Sequence, residues 1–134
     1  MNDCIFCKIV KGEISSFKVF ENEQVFAFLD IAKDIDAHIL VIPKKHCLNV
    51  LDCEEESLKA VMLAVQKISK HLVDNCGFDG VNLINCSGES AGQTVNHFHV
   101  HIIPRKENDG EQVFPKLSGA KEELSIIWER IRME

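Results

Sequence analysis

The chain has 134 residues, with 15 Lys and Arg against 21 Asp and Glu for a net charge of −6. This acidic balance argues against a protein that tracks a nucleic-acid polymer, which needs a basic footprint, but leaves a single small nucleotide within reach. With 46% hydrophobic residues the chain can bury a core as one domain, residues 1–134, without disulfide support.

The N-terminus has no basic segment followed by an apolar core, and no run approaches the 18 apolar residues of a membrane span. A cytoplasmic protein without a membrane partner is therefore expected. In that setting the six cysteines read as thiols or metal ligands rather than as a disulfide framework.

In chain order, Phe17 to Glu21 and Val25 to Leu29 are short aromatic and β-branched runs around Asn22-Glu23-Gln24, the pattern of a β-hairpin. His38 to Ile42 predicts a third strand ended by Pro43, with Asp34-Ile35-Asp36 as the loop before it. A long helix follows, with Asp52 as N-cap and Glu55 as its capping partner. Leu58, Val61, Met62, Val65, Ile68 and Leu72 form its apolar stripe, and Gly77 ends it.

Gly80 to Asn85 alternates as a fourth strand, and Asn96 to Ile103 as a fifth closed by Pro104. Residues 105–117 are polar. Ser118 to Met133 repeats helical spacing at Leu124, Ile127, Trp128 and Ile131. The elements imply an α+β domain on an antiparallel sheet of five strands, with one long helix inserted and one appended.

His97-Phe98-His99-Val100-His101 is the sharpest feature, since chance gives three histidines at this spacing roughly 0.01 times in such a chain. In a strand the three imidazoles share one face, while Phe98, Val100 and Ile102 point into the core. At about 3.3 Å per residue, His97 and His101 lie roughly 13 Å apart and cannot share one metal ion.

Just upstream, Gly88 and Gly92 allow close backbone approach, and Gln93 and Thr94 add polar groups suited to a phosphate. Imidazole beside phosphate suggests nucleophilic attack by a neutral ring nitrogen on phosphorus. Neighbouring protonated imidazoles could then neutralise developing charge.

Cys4-x-x-Cys7 has the spacing of half a zinc site, which needs two further ligands; His46 and one end of the histidine segment are the candidates, and a redox pair is the alternative. Cys47, Cys53 and Cys76 read as small packing residues, and His38 and His71 as ordinary structural or surface histidines.

Together these residues resemble the histidine triad (HIT) family, whose signature is His-x-His-x-His followed by two hydrophobic residues, here His97 to Ile103. The similarity spans about residues 3–105, leaving 106–134 as a C-terminal extension. It runs through Cys4-Ile5-Phe6-Cys7, Phe28-Leu29-Asp30-Ile31, Leu40 to His46 and Ala91 to Val95, and is strongest to small bacterial Hit proteins near the nucleotide-binding Hint branch.

The resemblance implies a homodimeric hydrolase acting at the α-phosphorus of nucleoside monophosphate derivatives, typically purine nucleoside phosphoramidates. A covalent nucleotidyl-histidine would form on His99. His101 would contact the phosphate or leaving group, and His97 would support the site. Asp30 would bind the ribose, with Phe6, Ile9, Phe28 and Ile31 around the base. Gln93 and Thr94 would hold the α-phosphate.

Structural zinc would sit on Cys4, Cys7, His46 and His97. Cys86 stands where many relatives carry an amide, so that either Asn85 or Ser87 takes that role or phosphate binding is looser. Trp128 lies on a helical stripe and is expected to pack. The alternatives are a dinucleoside polyphosphate hydrolase, or a zinc-stabilised nucleotide-binding adaptor with incidental turnover.

Overall fold

The computed structural model describes residues 3–133. Its centre is two strands whose residues are apolar on both faces. In β2 (Val25–Leu29) and β3 (Ile39–Pro43), Phe26 lies opposite Ile42 and Phe28 opposite Leu40. β1 (Lys18–Glu21) extends the sheet beside β2, while β5 (Val100–Arg105) and β4 (Gly80–Ile84) extend it beyond β3. The order is β1-β2-β3-β5-β4, with every neighbour antiparallel, as the α+β reading requires.

Because side chains alternate across a strand, each strand feeds two cores. Val25, Ala27, Ile39, Val41, Val100 and Ile102 face α2 (Glu55–Asn75), which buries Ala60, Val61, Ala64, Val65, Ile68 and Leu72 against them. The four larger residues of that helix face supply on the order of 8 kcal/mol of transfer free energy, before chain entropy is set against it. Phe26, Phe28, Leu40 and Ile42 face the other way and are covered by Phe6 and Ile9 of α1 (Ile5–Val10).

Several local expectations are corrected. α1 falls where only a cysteine motif was read, and its N-cap is Cys4, whose Sγ accepts the Cys7 N–H at 3.3 Å. Asp52 does not cap α2, because its carboxylate accepts the N–H groups of Leu48 and Asn49 at 3.1 and 3.0 Å; Glu54 holds the cap position. Met62 is half exposed, and Ala60 and Ala64 complete the buried stripe instead.

The third strand starts one residue late and includes Pro43, paired with Val25. The fifth begins at Val100 rather than Asn96. Its approach leaves the ladder because the Phe98 N–H donates to Cys47 O at 2.9 Å, in the segment after β3. Pro104 lies inside β5 opposite Val81, past the last β3 pairing at Ile102.

Cys47 and Cys53 are joined as a disulfide, with Cα atoms 5.2 Å apart, because the chain turns back on itself between them. Trp128 does not pack. On α3 (Leu124–Ile131) it is 57% exposed with Arg132 over its ring, and Leu124 and Ile131 are also exposed.

Candidate functional site

The histidine segment enters between the α1 face of the sheet and the loop after β3, and its three rings have different partners. His99 is buried, and its Nδ1 lies 2.7 Å from His97 O. A carbonyl can only accept, so Nδ1 carries the proton and the lone pair sits on Nε2. Asn85 Nδ2 donates to His99 O at 2.9 Å and fixes the backbone on the other side of the ring. Burial lowers the His99 pKa below 6.5, which keeps Nε2 unprotonated.

His97 is fully buried and turned the other way. Its Nε2 donates to Pro43 O at 2.8 Å, so its Nδ1 bears the lone pair. That atom is 3.2 Å from His46 Nδ1, 3.3 Å from Cys4 Sγ and 3.6 Å from Cys7 Sγ, and Cys7 Sγ is 3.3 Å from His46 Nδ1. Burial, above all, lowers the His97 pKa to about 4, and burial, together with a hydrogen bond that the Cys7 thiol donates to Cys4, raises the Cys7 pKa.

All four donor atoms lie within 4.8 Å of one another. A tetrahedral zinc shell separates two nitrogens by about 3.3 Å and a nitrogen from a sulfur by about 3.6 Å, so the donor set fits such an ion. The geometry divides the triad: His97 belongs to the cysteines, while His99 and His101 face a pocket.

That pocket has a volume of about 330 Å³ and an apolar wall, within the range of small-molecule sites. Phe6, Ile9, Phe28 and Ile31 line it together with Asp30, Thr94, His99 and His101. Ile5, Ile14, Leu40 and Val95 also contribute to the wall; the sequence did not assign them there, since nothing in it sets an apolar pocket residue apart from any other apolar residue. The Phe6 ring stands edge-on to both His97 and His99, at 5.8 and 5.3 Å between centroids, and separates the two environments.

His101 brings in two residues that sequence reasoning passed over. Its Nδ1 is 2.9 Å from Nε2 of His38, a buried residue whose Nδ1 is 2.8 Å from the Asp34 carboxylate and 3.7 Å from that of Asp30. The only signal for them was position, since His38 opens the third predicted strand. Burial first, then the charges His99 and His38 would carry, lowers the His101 pKa to about 4.

Gln93 and Asn85 do not line the pocket. Gln93 Nε2 donates to Leu48 O at 2.7 Å and Val95 O at 3.0 Å, and its Oε1 accepts from Gly88 N at 2.9 Å and Asn49 Nδ2 at 3.2 Å. Its amide is committed to shaping the glycine loop. Asn85 is likewise held, accepting from Ser87 Oγ at 2.8 Å while donating to His99 O. Gly88 and Gly92 adopt φ of +103° and +92°, which only glycine takes without strain.

An antiparallel α+β sheet carrying a histidine triad beside an apolar pocket defines a class of nucleotide-binding domains. The HIT domain family matches residues 11–108, and the chain belongs to that family. It is similar to a HIT family protein of Bacillus subtilis of solved structure, at 44% identity and TM-score 0.83 over 96% of this chain and 94% of that one. A Zn-bound histidine triad protein of Mycobacterium smegmatis is 32% identical, with TM-score 0.80 over 84% of this chain and 81% of that one. The adenosine 5′-monophosphoramidase HNT1 of Candida albicans is 40% identical over 108 residues, covering 78% of this chain and 71% of that protein.

Proposed function

We propose that this protein hydrolyses nucleoside monophosphate derivatives at the α-phosphorus, with purine nucleoside phosphoramidates as its substrate class. The observation that carries the reading is the His99 ring, whose Nδ1 proton is fixed on His97 O so that an unprotonated Nε2 is left at the pocket. In the first step Nε2 attacks phosphorus, the bond to the leaving nitrogen breaks, and the departing amine takes a proton from protonated His101. In the second, water attacks phosphorus as its proton passes to His101 Nε2, the bond to His99 breaks, and both rings return to their starting forms.

The anionic phosphate, once bound, would supply the charge that raises His101 from its low resting pKa, so that the ring takes up a proton from solvent. Asp30 would accept the ribose hydroxyls, while Phe6, Ile9, Phe28 and Ile31 would enclose the base. Thr94 would donate to the phosphate, and Gln93 and Asn85 would act through the loop and the backbone they hold. A zinc ion on Cys4, Cys7, His46 and His97 would be structural, because four protein ligands leave no position for a reacting water. The exposed apolar stripe of α3 is consistent with a homodimer.

Incubation with an adenosine phosphoramidate and, separately, a dinucleoside polyphosphate tests the reading. AMP from the first, abolished by His99→Ala, supports it. Turnover of the dinucleotide alone would reassign the substrate, and AMP binding without turnover of either would leave a binding module.

A further inference from the structure

The HIT signature accounts for His97, His99 and His101 but not for the acid that ends the chain of contacts behind them. Asp34 lies outside the signature, in the loop between β2 and β3, and its carboxylate is 2.8 Å from His38 Nδ1. A carboxylate only accepts, so a neutral His38 carries its proton on Nδ1 and presents a lone pair at Nε2. That lone pair is 2.9 Å from His101 Nδ1, which must then be the donor. One carboxylate thereby sets the tautomers of two imidazoles, and His101 is left with Nε2 as its pocket-facing lone pair.

We propose that Asp34 is a positioning residue that acts through His38 to fix His101 with its proton on Nδ1. The inference deepens the hydrolase reading and rests on it for its kinetic consequence, though its structural half concerns the ligand-free protein alone. Without the anchor, His38 could turn over or place its proton on Nε2. His101 would then face another donor, and its Nε2 would no longer be held free to take the proton of the attacking water.

Among the described residues, the other charged or titratable groups near this pair are Asp30 and His99. Asp30 approaches His38 Nδ1 at 3.7 Å, and the His99 ring lies 5.0 Å from that of His101. Each acid accepts a local backbone N–H, Asp30 that of Ala32 at 2.8 Å and Asp34 that of Ile35 at 2.9 Å, but Asp30 lines the pocket, whereas Asp34 does not line it and is 57% exposed in its side chain. An exposed loop carboxylate outside this pocket can be removed without opening the core, which makes the test clean.

The experiment is long-range ¹H–¹⁵N spectroscopy of the histidine rings in the ligand-free protein, comparing wild type with Asp34→Ala and Asp34→Asn, alongside steady-state kinetics on an adenosine phosphoramidate. The expected result is Nδ1–H on both His38 and His101 in the wild type, with loss of that tautomer at His101 in Asp34→Ala although Asp34 never touches it. Asp34→Asn, which keeps an acceptor oxygen, restores it. In turnover, kcat falls roughly tenfold in Asp34→Ala while KM stays within about twofold. A His101 tautomer unchanged in Asp34→Ala overturns the proposal and shows that Asp30 suffices. A wild type with no turnover would sink the hydrolase reading, while the ring spectra would still decide the role of Asp34.

Discussion

Gln93 offers the sharpest test of how the glycine loop works, because its side chain makes four hydrogen bonds within the protein and lines no part of the pocket. Gln93→Ala removes all four, leaving the carbonyls of Leu48 and Val95, the Gly88 N–H and the Asn49 amide to find water or go unpaired. At about 1 kcal/mol per bond, and with half of the loop open to solvent, the loss is about 2–3 kcal/mol. For a domain of this size that lowers the melting temperature by roughly 10 °C. Thermal unfolding by circular dichroism and AMP affinity by calorimetry, measured on one preparation, separate the two roles. Affinity should fall because the loop loosens, and it should recover in part at low temperature as the loop orders. A melting temperature within about 2 °C of wild type together with a tenfold loss of AMP affinity would show a direct phosphate contact and refute the scaffold argument.

Three further outcomes are expected. Stripping metal with a chelator, or Cys7→Ser, should lower the melting temperature while leaving the turnover per folded molecule within about twofold, since the site closes without a reactive water; turnover that follows zinc content at constant melting would contradict this. His101 titrates near 4 in the fold against 6.5 when free, so the unfolded chain binds the extra proton and stability falls as pH drops from about 6.5 toward 4. That loss amounts to about 1–2 kcal/mol after halving for the water that reaches the ring, and urea melts across this range that do not shift would refute it. Alkylation under denaturing, chelating conditions should label Cys4, Cys7, Cys76 and Cys86 before reduction and add Cys47 and Cys53 only after it; six labels at the outset would remove the disulfide.

The sheet was legible because its strands are short alternating runs bounded by turn residues, and β2 came through with its limits unchanged. What escaped was set by contacts distant in sequence. α1 is six residues long and capped by a thiol, too short for helical periodicity to register, yet it covers the second face of β2 and β3 and supplies Phe6 to the pocket. Asp52 had the composition of a helix cap, but the turn that brings Cys47 to Cys53 used its oxygens first.

At the site, spacing placed three histidines on one face but carried no information about which carbonyl or thiol each ring would meet. Pro43 O turns His97 toward the cysteines and His97 O turns His99 toward the pocket, and both bonds depend on tertiary packing. His38 was invisible for the same reason: its importance comes from a partner 63 residues away. α3 shows the converse, with a clear apolar stripe that a single chain leaves exposed.

The central claim is that His99 Nε2 becomes covalently attached to phosphorus. Rapid acid quench of wild-type protein during turnover of an adenosine phosphoramidate, followed by intact and peptide mass spectrometry, tests it directly. The account predicts a transient adenylyl adduct on His99, absent in His99→Ala, which should also release no AMP. AMP release at an undiminished rate by His99→Ala, or an adduct on His97 or His101 instead, would contradict it.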